Sequence, residues 1–125
     1  MKILSWDIGI KNLSYCILES ENKNNVKIID WGIIDISPYN KKDSKNLYKI
    51  VKIMYSKLND ILEIVKECDV VLIENQPCMK NPIMKSIQIL LYSYLHMKLN
   101  HIENKNESIC MFDIYDDNNN QDINK

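Results

Sequence analysis

Residues 3–13 read Ile3-Leu4-Ser5-Trp6-Asp7-Ile8-Gly9-Ile10-Lys11-Asn12-Leu13 and decide the fold. The apolar run over residues 2–8 predicts a central strand that is covered on both faces. It carries one carboxylate, Asp7, and gives way at Gly9 to a short turn before a second strand begins at Leu13. Because an unpaired buried carboxylate is costly, we expect Asp7 to be protonated, paired with a cation or bound to a metal ion.

A second carboxylate, Glu74, ends a later apolar run. The segment Asp69-Val70-Val71-Leu72-Ile73-Glu74-Asn75-Gln76-Pro77 is rich in β-branched residues and is closed by proline, which predicts a short strand. If that strand lies beside the first, Asp7 and Glu74 come within reach of one ion, since neighbouring strands are about 4.8 Å apart. Taken singly, each has an ordinary alternative explanation: Asp7 as a turn former at the end of a strand, and Glu74 as a solvated glutamate before a proline.

Composition narrows the class of protein. With 125 residues, 46% of them hydrophobic, the chain suits one domain with a single core. The formal net charge of −1 gives no overall basic character, so contact with nucleic acid would depend on local lysine clusters. Arginine is absent from the sequence, and bidentate guanidinium contacts with phosphate are therefore ruled out.

The four cysteines, Cys16, Cys68, Cys78 and Cys110, have no metal-binding spacing and predict buried thiols in a reducing compartment. No signal peptide precedes the first strand, and no apolar stretch is long enough to span a membrane. The expected protein is soluble and intracellular.

Hydrophobic periodicity predicts the element order β-β-β-α-β-α-β. Strands are expected over residues 2–8, 13–19, 26–36, 70–73 and 108–112, and helices over residues 44–67, capped by Asp43 or Ser44, and 82–99. Short turns between the first three strands predict an antiparallel meander, and a strand reached through a helix is expected to run parallel to an earlier strand. This order matches a ribonuclease H-like α/β fold, a mixed sheet in which the first and fourth strands are neighbours.

Two carboxylates without a nearby histidine or thiol favour a hard cation, Mg²⁺ with Mn²⁺ as the alternative. In phosphodiester hydrolysis such a site holds two ions about 3.5–4 Å apart, one activating water and one stabilising the leaving oxygen. Asp7 would be the shared ligand and Glu74 the second.

The later helix has more apolar surface than one buried stripe requires, so Leu91 and Leu95 are predicted at a partner contact, with a wider core contact as the alternative.

Three segments together resemble the RuvC-like Holliday junction resolvases of the poxvirus, iridovirus and fungal mitochondrial group. They are Ser5-Trp6-Asp7-Ile8-Gly9-Ile10-Lys11-Asn12-Leu13-Ser14-Tyr15-Cys16, Ile73-Glu74-Asn75-Gln76-Pro77 and Lys80-Asn81-Pro82-Ile83-Met84-Lys85-Ser86-Ile87-Gln88. The resemblance implies a homodimeric, Mg²⁺-dependent endonuclease that cuts four-way DNA junctions, with Asp7 and Glu74 as catalytic metal ligands. It also places Lys11, Lys80 and Lys85 near the DNA backbone and the helix at about residues 82–99 in the dimer contact. For a viral member of this group the expected location is the cytoplasm of the infected cell, with the mitochondrion and the nucleus left open.

The sequence also departs from the family pattern. That pattern continues with a basic segment and a final helix carrying two further aspartates, and nothing like it follows the fifth strand. We therefore expect an incomplete resolvase domain over residues 1–114, with its C-terminal catalytic helix missing, and a disordered acidic tail over residues 115–125. Two alternatives stay open: a catalytically inactive paralogue that binds junction DNA or only dimerises, and an actin-like ATPase, which a total of two glycines disfavours.

Overall fold

A computed structural model describes residues 1–99 and 109–112 of the chain. Over these residues the strands are β1 (Lys2–Asp7), β2 (Leu13–Asn22), β3 (Asn25–Ile34), β4 (Val70–Glu74) and β5 (Ile109–Phe112). The helices are α1 (Leu47–Asp60), α2 (Leu62–Lys66) and α3 (Pro82–Leu99), and a 3₁₀ turn over Lys41–Asp43 precedes α1.

The strands form one mixed sheet in the order β3-β2-β1-β4-β5. β2 runs antiparallel to β1 and to β3, whereas β4 runs parallel to β1 and to β5. The predicted antiparallel meander and the predicted neighbouring of the first and fourth strands are both confirmed. Ile3 pairs with Val70 and Trp6 with Ile73, so β1 and β4 run in step to their carboxyl ends.

One face of the sheet packs with the helices to form the core. Leu4 and Trp6 of β1 are 0% and 1% exposed, and Val71 and Ile73 of β4 are buried beside them. Other fully buried side chains of this cluster are Leu13, Ile17, Ile36, Ile50, Met54, Leu58, Ile87, Leu91 and Leu95. Each such side chain stabilises the fold by about 1.5–3 kcal/mol, so this face of the sheet carries most of the hydrophobic stabilisation.

Ile3, Ser5 and Asp7 alternate with the buried residues of β1 and lie on the opposite face of the sheet, which we call the open face. Ile3 and Ser5 are only half-buried. On β3, Trp31 and Ile33 belong to the same face and are 68% and 60% exposed. Within the described residues, the prediction that β1 is covered on both faces is therefore wrong, because α1 and α3 pack on one side of the sheet.

The predicted helix over residues 44–67 is two helices with a different cap. The Asn46 side chain, not that of Asp43 or Ser44, accepts a hydrogen bond from the Lys49 backbone N–H at 3.3 Å, which satisfies a donor of the first turn. Ile61, with φ −108° and ψ 7°, leaves the helical conformation and separates α1 from α2. Apolar spacing alone did not predict this break, since Val65 of α2 still reaches the core.

Later boundaries agree with the prediction to within one residue for β4, α3 and β5. The predicted tail over residues 115–125 lies outside the described residues. The prediction of buried thiols holds for Cys68 alone, because Cys16 is half-buried and Cys78 and Cys110 are exposed. Among the described helices, none is long and apolar enough to cross a membrane.

Asn46→Ala should lower the free energy of unfolding by about 1 kcal/mol, because the first turn of α1 loses its side-chain acceptor. Ser44→Ala is the matched control and is expected to change it by less than about 0.5 kcal/mol. Urea denaturation followed by circular dichroism measures both variants. A larger loss for Ser44→Ala than for Asn46→Ala would contradict the observed cap.

Candidate functional site

Asp7 and Glu74 are the last residues of two adjacent parallel strands. Trp6 pairs with Ile73, and each carboxylate follows its member of that pair by one position. Since Trp6 and Ile73 point into the core, the side chains of Asp7 and Glu74 both belong to the open face. With neighbouring backbones about 4.8 Å apart, the two predicted metal ligands lie side by side at the same end of the sheet.

The surroundings of Asp7 differ from the expectation. Asp7 is exposed and Glu74 is half-buried, whereas the sequence predicted a buried carboxylate. The reason is that β1 ends at Asp7, and the side chains next to it, Trp6 and Ile8, take the buried positions on the core side. Solvent therefore reaches both carboxylates, and a hydrated cation could approach them without first being fully desolvated.

The turn after Asp7 is fixed by close backbone contacts. A Cβ atom on Gly9 would lie 2.9 Å from the carbonyl oxygen of Asn12, a distance that only glycine tolerates in this turn. The Ile10 carbonyl accepts a hydrogen bond from the Ile36 backbone N–H at 2.8 Å. These contacts hold the chain that leaves Asp7 against the segment that follows β3.

The loop after Glu74 is held by α3. The Gln88 side chain is fully buried, and its Oε1 accepts a hydrogen bond from the Gln76 backbone N–H at 2.7 Å. Its Nε2 donates to Asn75 Oδ1 at 3.2 Å, and Lys85 Nζ donates to the same Asn75 oxygen and to Gln88 Oε1. The residues that directly follow Glu74 are thereby anchored to a helix of the core.

Sequence reasoning missed the role of Gln88. A signal was present, because Gln88 is a polar residue beside Ile87 on the apolar face of α3. Buried polar side chains are nearly always hydrogen-bonded, so this position predicts a polar partner. The identity of that partner follows from the tertiary structure, since Asn75 and Gln76 lie 12 or 13 residues earlier in the chain.

The three lysines predicted to contact DNA have different environments. Lys11 is exposed and lines a large cavity beside the turn that follows β1. Lys80 is exposed in the turn before α3. Lys85 is half-buried, and its ammonium contacts Asn75 and Gln88, so Lys85 first of all supports the loop after Glu74.

Within residues 1–99 and 109–112, no group of three or more histidine, cysteine, aspartate or glutamate side chains could hold a metal ion. Asp7 and Glu74 remain as a pair. Mg²⁺ is commonly bound through one or two carboxylates, with water and substrate phosphate oxygens as its other ligands. The pair therefore fits a hard cation that shares its coordination sphere with a phosphate group, and it does not fit a closed structural metal site.

The chain is similar in sequence to known proteins. A family model described as Poxvirus A22 protein matches residues 1–124. Crossover junction endodeoxyribonuclease RuvC of Caldicellulosiruptor saccharolyticus is 36% identical over 81 residues, which cover 65% of this chain and 45% of that protein. An uncharacterized protein of Acanthamoeba polyphaga mimivirus is 47% identical over 45 residues, which cover 33% of this chain and 11% of that protein. The chain thus spans less than half the length of these curated relatives.

Solved structures share the fold. RuvC of T. thermophilus in complex with a Holliday junction substrate matches with a TM-score of 0.62 at 11% identity, over 90% of this chain and 63% of that one. The yeast mitochondrial Holliday junction resolvase matches with a TM-score of 0.57 at 22% identity, over 90% of this chain and 52% of that one. Fowlpox virus resolvase in complex with Holliday junction DNA matches with a TM-score of 0.50 at 24% identity, over 99% of this chain and 72% of that one. These matches confirm the predicted ribonuclease H-like α/β fold.

Gln88→Met should lower the free energy of unfolding by about 1–3 kcal/mol, because the part-buried N–H of Gln76 loses its acceptor while the volume of the side chain is nearly kept. Gln88→Glu is the control, since it retains an acceptor beside Lys85 and should be less destabilising. Urea denaturation gives both values. Equal stability of Gln88→Met and the unmodified protein would show that the anchor contributes nothing to folding.

Proposed function

We propose that this chain, which belongs to the Poxvirus A22 protein family, acts as a structure-specific endonuclease domain that resolves four-way DNA junctions by metal-dependent phosphodiester hydrolysis. The observation that carries the proposal is the placement of Asp7 and Glu74 at the ends of adjacent parallel strands, on the same face of the sheet. Such a pair of solvent-accessible carboxylates can hold a divalent cation against a phosphate group.

Asp7 and Glu74 are the catalytic residues and the metal ligands of this proposal. Mg²⁺ is the proposed ion, with Mn²⁺ as the alternative, because both prefer oxygen ligands. When bound, the ion would supply Lewis-acid activation of water and of the scissile phosphate. The exposure of Asp7 favours this role, since DNA must reach the ion from solvent.

Branched DNA is the proposed substrate. The RuvC and fowlpox virus structures that share the fold were solved with Holliday junction DNA, and that substrate is proposed for this chain. Lys11, after the end of β1, and Lys80, before the start of α3, are both exposed and are suited to contact the DNA backbone. Lys85 is proposed to reach DNA as well, although its ammonium also contacts Asn75 and Gln88.

A homodimer through α3 is the second part of the proposal. Leu91 and Leu95, which the sequence predicted at the partner contact, are fully buried in the core and are unsuitable for it. The exposed stripe of α3 instead consists of Ile89, Ser93 and Met97, at successive spacings of four residues. This stripe has no charged residue. Leu90, which follows Ile89, lines an apolar groove of about 550 Å³ with Leu47, Val51 and Tyr55.

A catalytically inactive paralogue that binds junction DNA is the second candidate. The observation that favours it is that the described residues contain two carboxylates at the site and no group of three potential ligands. Junction binding without Mg²⁺-dependent cutting would distinguish this candidate from the endonuclease.

Asp7→Asn and Glu74→Gln should each reduce junction cleavage by more than about a hundredfold, because each removes a direct metal ligand and even the loss of an outer hydrogen bond at a metal site costs 10–100-fold. Junction binding without divalent metal should change little. Asp60→Asn, an exposed carboxylate at the end of α1, is the matched control. Gel assays of cleavage and binding measure all three variants, and unimpaired cutting by either site variant would remove that residue from the site.

Ile89→Lys should shift a dimer toward monomer, because it places a charge in the uncharged stripe of α3. Ile28→Lys is the control, since Ile28 is an exposed isoleucine on β3, 66% accessible and away from α3. Light scattering of the purified proteins gives the masses. A monomeric unmodified protein, or a dimer that survives Ile89→Lys, would rule out this contact.

A further inference from the structure

We propose that a lysine-lined groove beside the turn after β1 binds the phosphate backbone of one arm of the DNA substrate, an inference that rests on the proposed function. The groove consists of two adjoining cavities of about 780 Å³ and 290 Å³, which share Pro38, Tyr39 and Ile53. Five lysines line it: Lys11, Lys41, Lys49, Lys52 and Lys57. Lys11 was predicted to contact DNA, whereas the other four were not.

The groove is basic although the chain as a whole is not. Two carboxylates, Asp35 and Asp43, face the five lysines, and Asp43 is paired with Lys49 at 2.7 Å. Residues 41–57 contain six lysines and one acidic residue, against a net charge of −1 for the whole sequence. Positive potential is therefore concentrated on this edge of the molecule, where it can attract a polyanion.

Asp35 shapes the groove. Hydrogen bonds from the Ser37 hydroxyl and backbone N–H lower the pKa of Asp35, so its carboxylate is charged at neutral pH. The backbone carbonyl of Asp35 accepts a hydrogen bond from Lys57 Nζ at 2.6 Å, which holds the α1 wall of the groove against the segment after β3. The negative charge of the Asp35 carboxylate weakens the binding of an anionic ligand. Neutralising this charge therefore tests whether the ligand of the groove is an anion.

The position of the groove fits a backbone that continues from the candidate metal site. Ile36 N–H donates to the Ile10 carbonyl at 2.8 Å, so the segment after β3 is fixed to the turn after β1. Lys11 follows Asp7 by four residues, which limits their Cα separation to about 14 Å. At about 3.4 Å of rise per nucleotide, a strand that places one phosphate at Asp7 would reach Lys11, the groove lysine nearest to it in sequence, within about four nucleotides.

The chemistry of the lining suits a DNA backbone. Lysine ammonium groups contact phosphates as point charges, which positions a duplex without reading its sequence. Tyr39 is fully exposed where the two cavities meet, and an aromatic ring in a basic groove can stack on a sugar or an unpaired base.

The test compares two double variants with the same loss of charge. Lys41→Gln with Lys52→Gln removes two lysines of the groove. Lys23→Gln with Lys27→Gln is the control, the hairpin variant. Lys23 lies in the turn between β2 and β3 and Lys27 on β3, beside the amino end of β1, whereas the groove lies beside the turn after its carboxyl end. Binding to a four-way junction and to a plain duplex is measured in EDTA over a range of salt concentrations, and circular dichroism verifies folding.

We expect the slope of log affinity against log salt to become shallower by about 1 per groove lysine removed, equally for junction and duplex, and to be unchanged in the hairpin variant. Asp35→Asn, which keeps the acceptor for Ser37, should tighten binding to both. Equal effects of the groove and hairpin variants, or no DNA binding by the unmodified protein, would contradict the proposal that the groove binds DNA. Groove-dependent binding with no preference for the junction would instead support the groove and contradict the proposed function.

Discussion

Parallel pairing between β1 and β4 is the constraint on which the rest of the structure depends. The pairing of Trp6 with Ile73 buries both side chains on the core face and, one residue later, leaves Asp7 and Glu74 together on the open face. A slip of one residue in either strand would turn its carboxylate into the core and its apolar residues toward water. Hydrophobic burial thereby fixes the register, and the register places the carboxylates.

Two anchors turn this placement into a defined site. On one side, the turn at Gly9 and the hydrogen bond between Ile36 and Ile10 fix the chain that leaves Asp7. On the other, Gln88 fixes the loop that leaves Glu74. Within residues 1–99 and 109–112 the open face is accessible, with Trp31 and Ile33 largely exposed, so the fold combines a packed core side with a solvent-exposed side on which a large ligand can lie.

The antiparallel meander could be predicted from apolar periodicity and turn residues. The nearness of Asp7 to Glu74 could be predicted because the element order matches a ribonuclease H-like sheet, in which the first and fourth strands are neighbours. The exposure of Asp7 could not, since an apolar neighbourhood in sequence does not reveal where a strand ends. The break at Ile61 and the cap at Asn46 depend on backbone geometry that spacing leaves undetermined. Gln88 and the lysine groove are formed by segments distant in sequence, so their partners emerge only with the tertiary structure.

The two-sided character of the sheet also gives the protein two distinct optical reporters. Trp6 lies in the core and is 1% exposed, whereas Trp31 lies on the open face and is 68% exposed. An aqueous quencher reaches Trp31 and not Trp6, so the two indole emissions separate without any label. Trp31 then reports on whatever covers the open face, and Trp6 reports on the integrity of the core beneath it.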